Sequence, residues 1–274
     1  MWVKQSFLIM VVMVLLCCNN KKNSTSEAVN IPQVIVNRAV VAPETNSAAN
    51  ILAKKQVPIL CYHHINNKKP GDYTVSPVLF AQQLQALADS GYKTILPNDL
   101  YNYLTSNAII PEKSILLTFD DTDLEQFTVG ETEMKKHGFK GVFFIMNISI
   151  GRPRYMNKEQ IKQLSDSGHC IGAHTWDHHK VTDYTPADWT KQLETAKVKL
   201  TTITNKPVVY FAYPFGIWNA AATTALQQRG IKMAFQLSTK QDVIQPLYTV
   251  RRMLVPGTWS TKGLFKAMKA TFHL

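Results

Sequence analysis

Beyond residue 57 the chain alternates short apolar runs with longer stretches in which apolar residues recur every three or four positions. The runs VPILCYH (57–63), YKTIL (92–96), SILLTFDD (114–121), GVFFIM (141–146), HCIGAH (169–174), VVYFAYP (208–214), IKMAFQLS (231–238) and LYTVRRM (247–253) read as strands. Between them the periodicity predicts helices over 77–89, 98–106, a segment ending at Lys136-His137-Gly138, 158–167, 185–204, 219–229 and from Ser260 onward. Strands that are apolar throughout are buried on both faces, which indicates a parallel sheet of βα units. Seven to eight such units in roughly 218 residues predict an α/β fold, a distorted and incomplete (β/α) barrel, since a full one takes about 250 residues. A doubly wound open sheet is the alternative, and no G-x-G-x-x-G supports it.

The N-terminus has a different character. In MWVKQSFLIMVVMVLLC a lysine precedes an apolar run from Phe7 to Leu16, too short for a helix to cross a bilayer of about 30 Å. Residues 1–17 therefore read as a signal peptide. Cys17 or Cys18 follows directly, in a loose bacterial lipobox context with Leu16 where a small residue is preferred, so the exported protein is either lipid-anchored or secreted. Residues 18–56 mix Asn, Ser, Ala and Lys without a period and read as a linker or tether, unless Ile31–Val41 docks as a strand. The domain is then 57–274. Its two cysteines, Cys61 and Cys170, read as free thiols inside apolar strands, although an oxidising compartment would permit pairing.

Composition narrows the class. With 45% hydrophobic residues and 18% charged ones the chain is neither disordered nor fibrous, and four cysteines do not make a disulfide scaffold. The 30 Lys+Arg against 19 Asp+Glu give +11, which raises nucleic acid, anionic membrane and anionic polymer as partners. Removing the leader takes away only Lys4, so the excess belongs to the exported part.

Polar residues fall at informative places. His63, Asp120 and Asp121, His174 and Pro214-Phe215-Gly216 all stand at the C-terminal end of a predicted strand, the edge where parallel barrels carry chemistry. Adjacent carboxylates at 120–121 repel unless a cation or separate partners absorb their charge; alternatively one of them caps a helix. His174 and His178 are four apart, on one face if the segment is helical. One Asp and two His make a facial ligand set that suits a divalent metal such as zinc, with cobalt or nickel as alternatives.

TFDD (118–121), GHCIGAHTWDHH (168–179) and FAYPFG (211–216), in that order, resemble the NodB-homology polysaccharide deacetylases of carbohydrate esterase family 4. The resemblance extends over residues 57–253. It implies a distorted, incomplete (β/α) barrel and a metal-dependent hydrolase that removes N-acetyl groups from N-acetylglucosamine-containing glycans, with a glycan rather than nucleic acid as partner. It also implies Asp120 as general base, Asp121, His174 and His178 as metal ligands, and the Phe215 N–H facing the oxyanion, with Tyr213 and Pro214 in the groove wall. Tyr62-His63-His64-Ile65 resembles an element of the poly-N-acetylglucosamine deacetylases, which implies His63 as the acid.

The chain departs from the family pattern at three points. Thr122 stands where a Gly usually follows the aspartate pair, and Ala212 replaces an arginine that orients the base, leaving that task to Arg251 or Arg252. The C-terminal Leu-x-His is missing. His64, expected to face away from the barrel, and His179 are not assigned to catalysis; Trp176, Trp218 and Trp259 are candidates for stacking on sugar rings. An O-acetyl-xylan esterase and a non-catalytic surface carbohydrate-binding protein on the same fold are the competing functions. In either case the lipid anchor would be the only membrane contact.

Overall fold

The computed structural model describes residues 45–237 and 240–274. The leader, the lipobox cysteines and the strand considered at 31–41 lie outside the described residues. In chain order the elements are α1 (Ala48–Leu52), β1 (Ile59–Tyr62), β2 (His64–Ile65), β3 (Thr74–Val75), α2 (Pro77–Asp89), β4 (Lys93–Thr94), α3 (Pro97–Ser106) and β5 (Ser114–Phe119). They continue with α4 (Thr132–Lys136), β6 (Gly141–Ile145), α5 (Lys158–Asp166), β7 (Cys170–Ala173), α6 (Ala196–Thr204), β8 (Tyr210–Ala212), α7 (Ala220–Gln228), β9 (Met233–Leu237), β10 (Val250–Leu254) and α8 (Thr261–Phe272).

Seven parallel strands close into a barrel in the order β1, β5, β6, β7, β8, β9, β10, and β10 pairs back onto β1. The run at 92–96 supplies no stave. Pro97 follows it and opens α3 at once, so the strand is confined to Lys93 and Thr94, which pair with the first two residues of β5. β2 and β3 form a separate parallel pair just past the end of β1.

Alternation along the strands divides the core. Inward-facing Ile59, Leu116, Val142, Phe144, Tyr210, Phe235 and Val250 fill the barrel. Outward-facing Leu60, Tyr62, Leu117, Phe119, Phe143 and Phe211 pack beneath the helices with Phe80, Leu84, Leu164 and Leu264. Gly172 is glycine because the Phe144 ring packs against it: a Cβ would lie 2.5 Å from that ring. Cys61 and Cys170 are both unpaired.

Packing on the domain begins before residue 57. Asn46 donates through its backbone N–H to Thr105 O (2.7 Å) and through Nδ2 to Leu104 O (2.7 Å), and Ile51 of α1 joins the inner cluster with Leu100 and Leu104 of α3. The sequence masks this segment because a five-residue helix with one buried side chain has no period to detect.

Candidate active site

The barrel interior turns polar at the C-terminal ends of its strands. Asp120 continues the inward set Leu116, Thr118, and Arg252 continues that of Val250 on β10. Their side chains meet in a fork: Arg252 Nη1 and Nη2 donate to Asp120 Oδ1 and Oδ2, each at 2.7 Å, with both residues buried. Arg252 also donates to Thr118 Oγ1 (3.1 Å) and Gln236 O (3.3 Å) and lies over the Phe144 ring. Burial alone would raise the Asp120 carboxyl, but the guanidinium more than reverses this and holds it well below the ordinary carboxylate range.

Strict alternation would send Asp121 to the outer face. Instead the backbone at Asp121 (φ 76°) and Thr122 (φ 73°) is left-handed, which swings Asp121 back over the barrel mouth. Thr175 (φ 63°), His178 (φ 67°) and Phe215 (φ 60°) share this conformation, so five non-glycine residues of one site are strained, each by about 1–3 kcal/mol. Specific bonds hold them. Thr122 Oγ1 accepts the Met146 N–H (2.8 Å) and Thr122 O that of Met156 (3.0 Å); Thr175 Oγ1 accepts the His178 N–H (2.9 Å). Gln126, wholly buried, donates to His63 O (3.0 Å) and to Asp120 O, joining the exits of β1 and β5. Thr122→Val should leave the Met146 N–H unpaired in a buried place and cost about 1–3 kcal/mol, measurable as a lowered denaturation midpoint; an unchanged midpoint would refute this role.

The result is a cluster of three ligand atoms within 4.8 Å of one another on Asp121, His174 and His178. Asp121 Oδ1 is buried without a hydrogen-bond donor among the described residues, and the His174 and His178 Nε2 atoms lie 3.4 and 3.3 Å from it. Ligands at about 2.0–2.1 Å from a tetrahedral zinc stand about 3.3 Å apart, so the spacing fits a divalent cation. His174 Nδ1 is 2.8 Å from Ala212 O, which fixes the proton there and leaves the Nε2 lone pair for a metal. Burial would raise Asp121, but His174 brings it down to about 2; burial and the neighbouring His174 bring His178 down to about 4. An ionised carboxylate with two imidazoles is a donor set for zinc.

A cavity of about 290 Å³ opens over these groups and is also lined by His63, His64, Tyr73 and Phe215. A groove of about 370 Å³, holding Asp123, Glu125, Arg154 and Lys68, shares His64, Asp121 and His178 with it.

Comparison with known proteins matches this architecture. The family profile "Polysaccharide deacetylase" covers residues 108–234, including both acid and histidine motifs. In this stretch the chain resembles the polysaccharide deacetylases. The polysaccharide deacetylase homologue YxkH of Bacillus subtilis is 28% identical over 220 residues, covering 78% of this chain and 77% of that protein. The poly-beta-1,6-N-acetyl-D-glucosamine N-deacetylase of Staphylococcus aureus is 23% identical over 193 residues, 65% of this chain and 66% of its own length. The structure of the Streptococcus pyogenes deacetylase PplD in complex with acetate superposes with a TM-score of 0.70 at 25% identity, over 77% of this chain and 97% of that one. Members of this family are metal-dependent hydrolases of N-acetyl amide bonds.

Within this domain the expected site residues separate into those that converge and those that do not. Asp120, Asp121, His63, His174, His178 and Phe215 all line the one cavity. Phe215 packs its ring edge-to-face on His178, and its N–H has no acceptor among the described residues, while the next two N–H groups close the turn onto Tyr213 O and Pro214 O. Gly216 (φ 69°) completes that turn where a Cβ would strike Leu237 at 2.6 Å.

Three residues expected at the groove have other partners in the fold. Tyr213, placed in the groove wall by resemblance, follows Ala212 and so faces outward; it is fully buried and donates to Tyr248 O (2.9 Å). Pro214 is buried beneath the turn, and Trp218 packs on the core with Nε1 donating to Gln236 Oε1 (2.9 Å). Of the two arginines, Arg251 points outward to Gln56 and only Arg252 reaches Asp120. The sequence carried the signal that separates them, since Arg252 shares its face with Val250. His174 and His178 are not on one helix: the segment after β7 is a loop with two left-handed turns, which is what aims both rings at Asp121. His64, Tyr73 and Gln126 were not picked out from the sequence. Tyr73 is half exposed at the cavity mouth with its ring against His63.

Proposed function

We propose that this domain hydrolyses the acetamido group of N-acetylglucosamine residues in a glycan, releasing acetate and leaving a free amine, with zinc as the resident metal. The supporting observation is the unpartnered Asp121 oxygen between two imidazoles, beside an aspartate locked by a buried arginine at the barrel mouth. Asp121, His174 and His178 would hold the ion, which when bound polarises the acetyl carbonyl and acidifies water. Arg252 keeps Asp120 ionised and fixed in orientation, so that it accepts a proton from the attacking water as the oxygen bonds to the carbonyl carbon. The Phe215 N–H is available to the oxygen on which negative charge develops. The left-handed turn that presents this N–H also sets the Phe215 ring at the cavity edge, where it can meet an apolar sugar face.

The sequence at 1–17 supports export to the cell envelope, and the staphylococcal relative's name favours poly-N-acetylglucosamine among the candidate polymers. The test is acetate release from poly-N-acetylglucosamine, chitin oligomers and peptidoglycan fragments with zinc present. We expect release on at least one of them, loss with a chelator and recovery on adding zinc. No acetate from any, with one zinc bound, would refute the reading and return the carbohydrate-binding alternative; faster turnover of acetylated xylan would favour the esterase.

A further inference from the structure

Cleaving an amide requires a proton for the departing nitrogen, and two adjacent histidines line the cavity beyond β1. His63 keeps the inward direction of Cys61. It is buried, its Nδ1 is 3.9 Å from Cys61 Sγ, and the Tyr73 ring covers it at 5.0 Å. Burial lowers its pKa, which favours a neutral imidazole.

His64 is placed differently. β1 ends at Tyr62, and the chain bends into the β2–β3 pair, where the His64 N–H donates to Tyr73 O (2.9 Å). The bend carries the His64 side chain to the cavity rim instead of the outer face, and 39% of it is exposed. Its Nδ1 is 2.8 Å from Asp123 Oδ2, a carboxylate that is itself only 6% exposed. Asp123 is held by a backbone bridge to Tyr155 and by the Leu124 N–H donating to Arg154 O (2.9 Å). Asp121 and Glu125 add negative charge around the imidazole; Lys68 and Arg154 line the groove beside it without an ion pair among the described residues.

We propose that His64, ion-paired through Nδ1 with Asp123, is the proton donor to the amine that leaves, an assignment that rests on the deacetylase reading above. The Asp123 carboxylate first, and the surrounding carboxylates after it, raise the His64 pKa despite partial burial, which favours the imidazolium. In the step itself the C–N bond breaks with its electron pair passing to nitrogen, which takes the Nε2 proton. The proton taken from water stays on Asp120 until it is lost to solvent, and solvent reprotonates His64. The Asp123 carboxylate stays beside Nδ1 throughout, which leaves Nε2 as the nitrogen free to meet the leaving group.

An aryl ester separates this role from a structural one, because nitrophenolate leaves without a proton. Zinc-loaded wild type, His64→Gln, Asp123→Asn, His63→Gln and Asp120→Asn are assayed on an N-acetylglucosamine oligomer and on 4-nitrophenyl acetate. His64→Gln should lose about 10²-fold or more on the oligomer yet stay within about threefold of wild type on the ester, whereas Asp120→Asn loses both. Asp123→Asn should keep activity at low pH but move the alkaline limb of kcat/KM to lower pH, since a neutral partner no longer favours the imidazolium. The assignment is overturned if His64→Gln keeps the oligomer rate, if it loses both substrates alike with zinc still bound, or if His63→Gln alone shows the split. A wild type silent on every glycan would overturn the deacetylase reading itself.

Discussion

Asp120→Asn is expected to lower acetate release by about 10²–10⁴-fold, the range for removing a positioned general base. Metal content should stay at one ion per chain, because the proposed ligands are Asp121, His174 and His178, and Asp120 approaches His174 at 3.9 Å, too far to hold it in place. That pairing of results separates the two adjacent aspartates. Asp121→Asn should lose the metal and the activity together, since the oxygen on which both histidines converge is the one without another partner. The comparison is made at a temperature well below unfolding, as Asn presents an amide donor to a guanidinium that has only donors. Retention of more than about a tenth of the activity in Asp120→Asn would mean that the base lies elsewhere.

Most of the barrel could be read from the chain because a stave buried on both faces has a distinctive composition. SILLTF, GVFFI and MAFQL are apolar at every position or nearly so, and the helices between them begin at legible caps such as Ser76, Asn219 and Ser260. The inner contents of the barrel were legible by parity as well, for Thr118, Asp120 and Arg252 follow from counting in twos along β5 and β10. Where the count runs past the last ladder bond it gives the wrong face. His64 falls two residues beyond the end of β1, and the turn into β2 sends it to the cavity. Tyr213 shows the opposite error: still in step with β8, it faces outward, although its neighbours in the motif suggested the groove.

The left-handed residues mark the same limit. A glycine after the aspartate pair would have announced a turn; Thr122 conceals it, and its conformation is maintained by a hydroxyl bond to Met146 that no local rule foresees. The two strand exits that carry ligands and base, those of β5 and β7, are thus coupled through β6, which supplies neither: Thr122 binds the Met146 N–H, while the Asn147 and Ile148 N–H groups donate to Thr175 O and Trp176 O. The preorganisation of the site resides in these cross-strand bonds more than in the motifs themselves.

Arg252→Met should have the largest effect on stability of any single change at the site. Breaking a buried pair by removing one partner costs about 3–5 kcal/mol, because the remaining charge is left without compensation. For a domain of this size each kcal/mol lowers Tm by about 2–4 °C, so a fall of about 6–20 °C is expected in thermal unfolding. The activity that remains should show a displaced acid limb. With the guanidinium gone, burial raises the Asp120 pKa, the carboxyl stays protonated to higher pH, and the base form appears only above that value. Adding Asp120→Asn to Arg252→Met removes the lone buried charge, so the double variant should regain part of the lost Tm while its acetate release stays at the level of Asp120→Asn alone. If the double variant were less stable than Arg252→Met by the full cost of the single Asp120→Asn change, the two side chains would be energetically independent, and the bidentate contact could not be what fixes Asp120.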